Sequence, residues 1–208
     1  MLLYAITGRR LLPGDEEERQ DRLVSLASEW ASGGVEYIQI REKDLAKDDL
    51  LGLAKRMVDA VRIGGRATRV LVNGPPEVAL EAGADGVHLP GSALADAADE
   101  AREVYRRSGR EAVVSRACHS VEEVLAARDA SLIVFAPVFE KVSGPDSGEM
   151  RQGMGLEVLS EACQAAGSVP VVALGGVTAQ NAGACVEAGA SGVAGIRLFW
   201  GDEWRALR

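Results

Sequence analysis

Histidine is scarce in this chain: His88 and His119 are the only two among 208 residues. Any step that needs an imidazole must use one or the other, and a site built on several histidines is excluded. Cysteine is scarce as well. Cys118, Cys163 and Cys185 are odd in number, widely spaced and free of any C-x-x-C pattern, which argues against a disulfide framework or a structural zinc site and for a reducing, cytoplasmic setting. Basic residues are in deficit, 23 against 31 acidic ones, for a net charge of -8 and a pI near 4.9. The chain therefore lacks the basic face that a nucleic acid or an anionic membrane surface requires, and a small-molecule partner fits better. Long apolar runs are missing too. None can span a bilayer, and the run before Arg9-Arg10 is too short for a signal peptide and is followed by Asp15-Glu16-Glu17-Glu18, so neither export nor anchoring is expected.

What the chain does have is a steady cadence. It is 47% hydrophobic and 26% charged with no compositional break, which suggests one domain over residues 1–208, alone or as a homo-oligomer. Short apolar, β-branched runs at 2–7, 35–41, 69–73, 86–89, 112–116, 132–136, 170–174 and 192–196 alternate with longer amphipathic stretches. Such runs, bounded by Gly and Pro, predict a parallel sheet buried on both faces, and eight units are the number that closes a (β/α)8 TIM barrel. A doubly wound open sheet is the alternative, but Thr7-Gly8-Arg9-Arg10 stands where that fold carries G-x-G-x-x-G. Two near-repeats, Glu81-Ala82-Gly83-Ala84-Asp85-Gly86-Val87 and Glu187-Ala188-Gly189-Ala190-Ser191-Gly192-Val193, read as a helix end, a left-handed Gly and entry to the next strand. They are structural punctuation. The stretch 137–155, with Gly144-Pro145-Asp146-Ser147-Gly148, reads as a long loop of the kind that forms lids.

In such a barrel the chemistry sits where strands run into helices. His119 lies three residues past the fifth run, where the strand gives way to a helix, and an imidazole there is placed for proton transfer near neutral pH, although a solvated helix start would read the same way. Its neighbour Cys118 reads as a small buried hydrophobe rather than a nucleophile. His88, in Gly86-Val87-His88-Leu89, reads as a packed, inward side chain. The seventh run ends in Leu174-Gly175-Gly176-Val177-Thr178 and the eighth in Ala194-Gly195-Ile196-Arg197. Loops at these two positions are the usual phosphate seat of the fold, so Gly175, Gly176, Ala194, Gly195, Ile196 and Arg197 are its candidates. The second run ends in Gln39-Ile40-Arg41-Glu42-Lys43, and alternation along an extended chain would put Gln39, Arg41 and Lys43 on one side. Two cations and an amide in a barrel mouth point to an anionic substrate.

Taken in order, Tyr4-x-Ile6-Thr7, Gln39-Ile40-Arg41-Glu42-Lys43-Asp44, Val72-Asn73, Gly83-Ala84-Asp85-Gly86-Val87-His88-Leu89, His119-Ser120-x-Glu122-Glu123, Pro137-Val138-Phe139 and Pro170-Val171-Val172-Ala173-Leu174-Gly175-Gly176-Val177 resemble the thiamine phosphate synthase/TenI superfamily. The resemblance implies a (β/α)8 barrel and one of two activities in thiamine biosynthesis. The synthase couples hydroxymethylpyrimidine pyrophosphate to thiazole phosphate, with Mg²⁺ held by acidic residues. The TenI branch is a thiazole tautomerase that aromatises a carboxythiazole phosphate without metal. It also implies substrate contacts by Asn73.

The synthase pattern carries Asn-Asp after the third strand and His-x-Gly-Gln-x-Asp after the fourth. This chain has Asn73-Gly74-Pro75-Pro76 and His88-Leu89-Pro90-Gly91-Ser92-Ala93, so neither position of the two aspartates offers a hard oxygen ligand to Mg²⁺. After the sixth strand, Gly144 falls where the pyrophosphate-gripping lysine is expected, with Lys141 three residues earlier as a substitute substrate contact. What matches the tautomerase branch is His119, which resembles its general acid/base, although the serine common two residues earlier is Ala117 here. Arg41 and Lys43 would then meet the carboxylate. The expected activity is therefore a cofactor-free isomerase acting on a small phosphorylated thiazole. A Mg²⁺-dependent synthase and a non-enzymatic barrel that binds metabolites of the pathway are the alternatives.

Overall fold

Eight of the apolar runs form the staves of a closed parallel barrel in the computed structural model, which describes residues 1–64, 67–142 and 150–208, without the side chains of 141, 142, 150 and 151. The strands are β1 (Leu2–Ile6), β2 (Tyr37–Ile40), β3 (Arg69–Val72), β4 (Gly86–Leu89), β5 (Val113–Cys118), β6 (Leu132–Phe135), β9 (Val171–Ala173) and β10 (Gly192–Gly195). They close in the order β1-β10-β9-β6-β5-β4-β3-β2. This is the predicted (β/α)8 architecture. Strand ends differ from the sequence reading by a residue or two, most usefully at β5, which runs on through Cys118 and delivers His119 as the first residue beyond it. Within the stretch predicted as a loop, β7 (Lys141–Val142) and β8 (Met150–Arg151) pair as an antiparallel ribbon. The Gly144–Gly148 phrase of the expected lid lies outside the described residues.

The helices are α1 (Glu16–Ser32), α2 (Lys47–Gly64), α3 (Pro76–Glu81), α4 (Ala97–Arg107), α5 (Val121–Ala126), α6 (Gly155–Ala166) and α7 (Ala182–Glu187). None among the described residues is long and apolar enough to cross a membrane. The chain comprises two compact units, Met1–Tyr4 with Ser115–Arg208, and Ala5–Val114.

In the Ala5–Val114 unit the acidic run that follows the first strand is a helix start. Asp15 accepts from Glu18 N–H at 3.0 Å, and Glu18 accepts from Asp15 N–H at 2.9 Å, a capping box that also sets three carboxylates at the positive end of α1. Helix α2 buries Leu50, Leu53, Ala54, Met57, Val58 and Val61, the three- and four-residue spacing of one helical face. Asp85 ties the N-terminal strand ends together: its carboxylate accepts from Val70 N–H at 2.7 Å and from Arg62 at 2.8 Å.

The two near-repeats now have a physical reason. Each ends in a glycine that opens a strand directly against the backbone of a neighbour. A Cβ on Gly86 would lie 1.8 Å from Val113 O, and one on Gly192 would lie 1.9 Å from Leu2 O. Gly83 and Gly189 hold φ of +77° and +105°, left-handed backbone that L side chains resist.

Gly192→Ala should therefore cost about 2 kcal/mol or more, because the clash is with backbone and cannot be relieved by a rotamer. Gly52→Ala, in α2 with nothing within 4 Å, should instead stabilise by roughly 1 kcal/mol. Thermal melts check both: for a chain of this size the first should lower the midpoint by about 4–8 °C and the second raise it by about 2–4 °C.

Candidate functional site

In the unit containing Ser115–Arg208, strand β5 ends at Cys118 and Ser120 caps α5, its hydroxyl accepting from Glu123 N–H at 3.2 Å. The Glu123 carboxylate accepts in turn from His119 N–H at 2.6 Å. The residue between strand and helix is thus pinned by its own backbone, while its side chain is exposed. The β5–β6 ladder continues one step further, with Ala136 N–H donating to Cys118 O at 3.1 Å, and this brings the Ala136 carbonyl to 2.6 Å from His119 Nδ1. A carbonyl oxygen can only accept. Nδ1 therefore carries the hydrogen, and Nε2 keeps the lone pair that can take a proton. Cys118 is fully buried, and that burial pushes its thiol up to about 11, so it is a packing residue, as the sequence suggested.

Beyond β9, Gly175 and Gly176 hold φ of +97° and +65°. A Cβ on the first would meet Pro137 at 2.8 Å and one on the second would meet Glu140 O at 2.6 Å, so both must be glycine on two counts. The carbonyls of Leu174 and Gly175 are turned toward the neighbouring segment, accepting from Val138 and Phe139 N–H at 2.9 Å each. The N–H groups of Gly175, Gly176 and Val177 donate to no backbone carbonyl among the described residues. Asn181 locks the loop: its Nδ2 donates to Gly176 O at 3.0 Å and its Oδ1 accepts from Thr178 N–H at 2.8 Å. Successive N–H groups without a backbone acceptor on a Gly-Gly turn make this a candidate anion-binding concavity. At the end of β10, Ala194 and Gly195 are buried; beyond it Ile196 is half-buried and Arg197 is exposed at the start of the 3-10 turn Arg197–Phe199. The side chain of Lys141 lies outside the described residues.

In the Ala5–Val114 unit the alternation predicted for 39, 41 and 43 runs out early. Strand β2 stops at Ile40, and the chain turns at Lys43, where Leu45 N–H donates to Glu42 O at 3.1 Å. Gln39 is buried, with an Oε1 that has no hydrogen-bond partner among the described residues. Arg41 is half-buried, its N–H donating to Thr7 Oγ1 at 2.8 Å, and Lys43 is exposed. Neither cation makes an ion pair among the described residues. Asn73 Nδ2 donates to His88 O at 3.0 Å. His88 is buried, as predicted, and burial, reinforced by the charges of Arg41 and Lys43, pulls its pKa down to about 3. It is a neutral ring at physiological pH.

The sequence reading missed Arg9. This residue is buried and binds three carboxylates: Nε to Glu16 at 2.7 Å, Nη1 to Glu42 at 3.0 Å and Nη2 to Asp44 at 2.8 Å. The Arg9 hydrogen bond holds the Asp44 carboxyl below its usual range. The only sequence signal was an arginine directly after the first strand. Asn181 was missed too, three residues past Thr178 in a position that reads as an ordinary helix start.

Gly74 and Ala93 offer no side-chain oxygen where the synthase pattern carries its two aspartates. No group of three or more His, Cys, Asp or Glu side chains able to hold a metal occurs among the described residues. At position 74, where the synthase pattern has aspartate, a Cβ would press on Leu50 Cδ2 at 3.0 Å.

A family model described as thiamine monophosphate synthase matches residues 3–199. A thiamine-phosphate synthase of Methanoculleus marisnigri is 34% identical over 202 residues, covering 96% of this chain and 88% of the relative. One of Methylococcus capsulatus is 34% identical over 211 residues, covering 99% and 86%. Among solved structures, thiamine phosphate pyrophosphorylase of Pyrococcus furiosus superposes with a TM-score of 0.75 at 26% identity, over 98% of this chain and 90% of that one.

The depressed pKa of His88 has a consequence for stability. A histidine that titrates near 6.5 when unfolded and near 3 when folded binds more protons in the unfolded chain throughout that window, so its contribution is intact above 6.5 and is lost as pH falls toward 3. Denaturant midpoints should therefore decline across that range in the wild type, with a slope contribution of up to about 1.4 kcal/mol per pH unit. A His88→Gln variant should show a shallower decline.

Proposed function

Since the chain belongs to the thiamine monophosphate synthase/TenI family, we propose that it is the thiazole tautomerase kind of member, aromatising a carboxythiazole phosphate by proton transfer through His119. One observation carries this reading: the Nδ1–H···O bond of 2.6 Å to Ala136 leaves Nε2 as the single nitrogen with a lone pair. A tautomerisation removes a proton from one carbon of a conjugated system and returns one to another, with no net loss of atoms or electrons. Nε2 takes the proton, the ring is briefly an imidazolium held by the Ala136 carbonyl, and the same nitrogen gives the proton back. The phosphate belongs to the Gly175–Gly176 turn, where backbone N–H groups carry partial positive charge without a side chain. Ala194, Gly195, Ile196 and Arg197 extend that seat. The carboxylate falls to Arg41 and Lys43, with Gln39, Asn73 and Lys141 as further substrate contacts. Retention of anion-binding groups with loss of both metal carboxylates, at Gly74 and Ala93, supports the proton shift over pyrophosphate displacement, which needs strong charge neutralisation on the leaving group.

The coupling reaction is the second reading, and the names of the relatives favour it over the proton shift. One assay separates the two. With the product of thiazole synthase as substrate, the protein should accelerate aromatisation with or without Mg²⁺. His119→Asn should lower kcat by about 10²–10⁴-fold, the usual worth of a general acid/base, while the Kd for thiazole phosphate stays within about twofold. Catalytic release of pyrophosphate from hydroxymethylpyrimidine pyrophosphate and thiazole phosphate with Mg²⁺, and no aromatisation, would replace the first reading with the second. Binding without either conversion would leave a metabolite-binding barrel.

A further inference from the structure

Residues 41–44 read cation, anion, cation, anion: Arg41, Glu42, Lys43, Asp44. Left to themselves, such neighbours in a turn would neutralise one another, and no charge would remain for a ligand. The structure shows another pairing. Both carboxylates are bound from the β1 side by Arg9, whose Nη1 also reaches Asp44 Oδ1 at 2.8 Å and whose backbone N–H points at both oxygens of Glu42 at 3.2 and 3.3 Å. Arg9 and Glu42 are 4% and 3% exposed, so this is a desolvated pair with its remaining donors spent on Asp44 and Glu16. The two cations, in contrast, make no ion pair among the described residues.

We infer that Arg9 is a positioning residue for the anion site: by holding Glu42 and Asp44 it keeps Arg41 and Lys43 unpaired and available to the substrate's carboxylate. The inference rests on the proposed function for what the two cations bind. The planar fork of five N–H donors is what the task needs, since it serves three carboxylates in one geometry, and an ammonium could not. Arg9 itself touches no substrate in this scheme. It acts through the carboxylates that it withholds.

Arg9→Gln releases Glu42 and Asp44 next to Arg41 and Lys43. In the tautomerase assay KM for carboxythiazole phosphate should rise about tenfold while kcat stays within about twofold, the pattern of lost ground-state binding. Adding Glu42→Gln and Asp44→Asn removes the competitors and should return KM to within about twofold of wild type. A merely structural role predicts the opposite, since the triple variant has lost still more bonds, and a KM that stays high overturns the inference. Should Arg9→Gln alone fail to fold, the triple variant, which strands no buried charge, carries the same test. A crystal structure of Arg9→Gln gives a readout independent of activity. Glu42 or Asp44 within about 4 Å of Arg41 or Lys43, the range of an ion pair, is expected. Carboxylates that turn to Arg10 or to water and leave both cations unpaired overturn it. If wild-type protein does not turn over carboxythiazole phosphate, the functional reading fails, and this structure still decides the role of Arg9.

Discussion

A parallel sheet covered on both faces leaves its side chains no contact with water along their length, and most of what is distinctive in this protein follows from that constraint. Val70, Leu71 and Val72 of β3, and Leu132 through Phe135 of β6, are all but inaccessible. A polar group in such a strand must find a partner inside the protein, as Tyr4 and Ser115 do in sharing a hydrogen bond of 3.0 Å. Groups that need water or a ligand are better placed at the strand ends. There the backbone is no longer saturated by the ladder, and a loop can spend its N–H groups on something other than protein. His119, the Gly175–Gly176 turn and the Arg41–Lys43 segment each begin within a few residues of where a strand stops.

The same constraint explains what could be read from the sequence. Apolar runs bounded by glycine and proline record burial on both faces, and eight of them gave the barrel count without any contact being known. His119 was legible because position after a strand is a local property. The turn at Gly175–Gly176 was legible for the same reason, although its second function, making room for the backbone of Pro137 and Glu140, depends on a segment nearly forty residues away in the chain. Lys43 was assigned by extrapolating a strand that ends at Ile40. The alternation with Gln39 and Arg41 does not continue into the turn, where a two-residue period has no physical basis.

Arg9 shows the other limit. Its partners Glu42 and Asp44 stand more than thirty positions away, and nothing local distinguishes it from Arg10, which is exposed. The sequence offers Arg9, Arg10, Arg41 and Lys43 against Glu16, Glu42 and Asp44 and no rule for matching them. Burial supplies the rule: a guanidinium that is 4% exposed must be paired, and its five donors fix which carboxylates it takes. Once those are taken, the pairing of the remaining charges is decided by subtraction.

The two candidate sources of positive charge differ in what each would demand of an anion. The N–H groups of the Gly-Gly turn are fixed dipoles that suit a compact anion held at the backbone, and they cannot be screened by a rotamer change. Arg41 and Lys43 are full charges on long side chains, which follow a ligand and lose entropy in doing so. A metal-dependent leaving group would require a third element, carboxylates to hold the cation. An aspartate at position 74 would need the Leu50 Cδ2 methyl, 3.0 Å from a Cβ there, to shift by a few tenths of an ångström. Under the proposed proton shift, the Gly175–Gly176 turn takes the phosphate and His119 moves the proton, both within the unit that contains Ser115–Arg208.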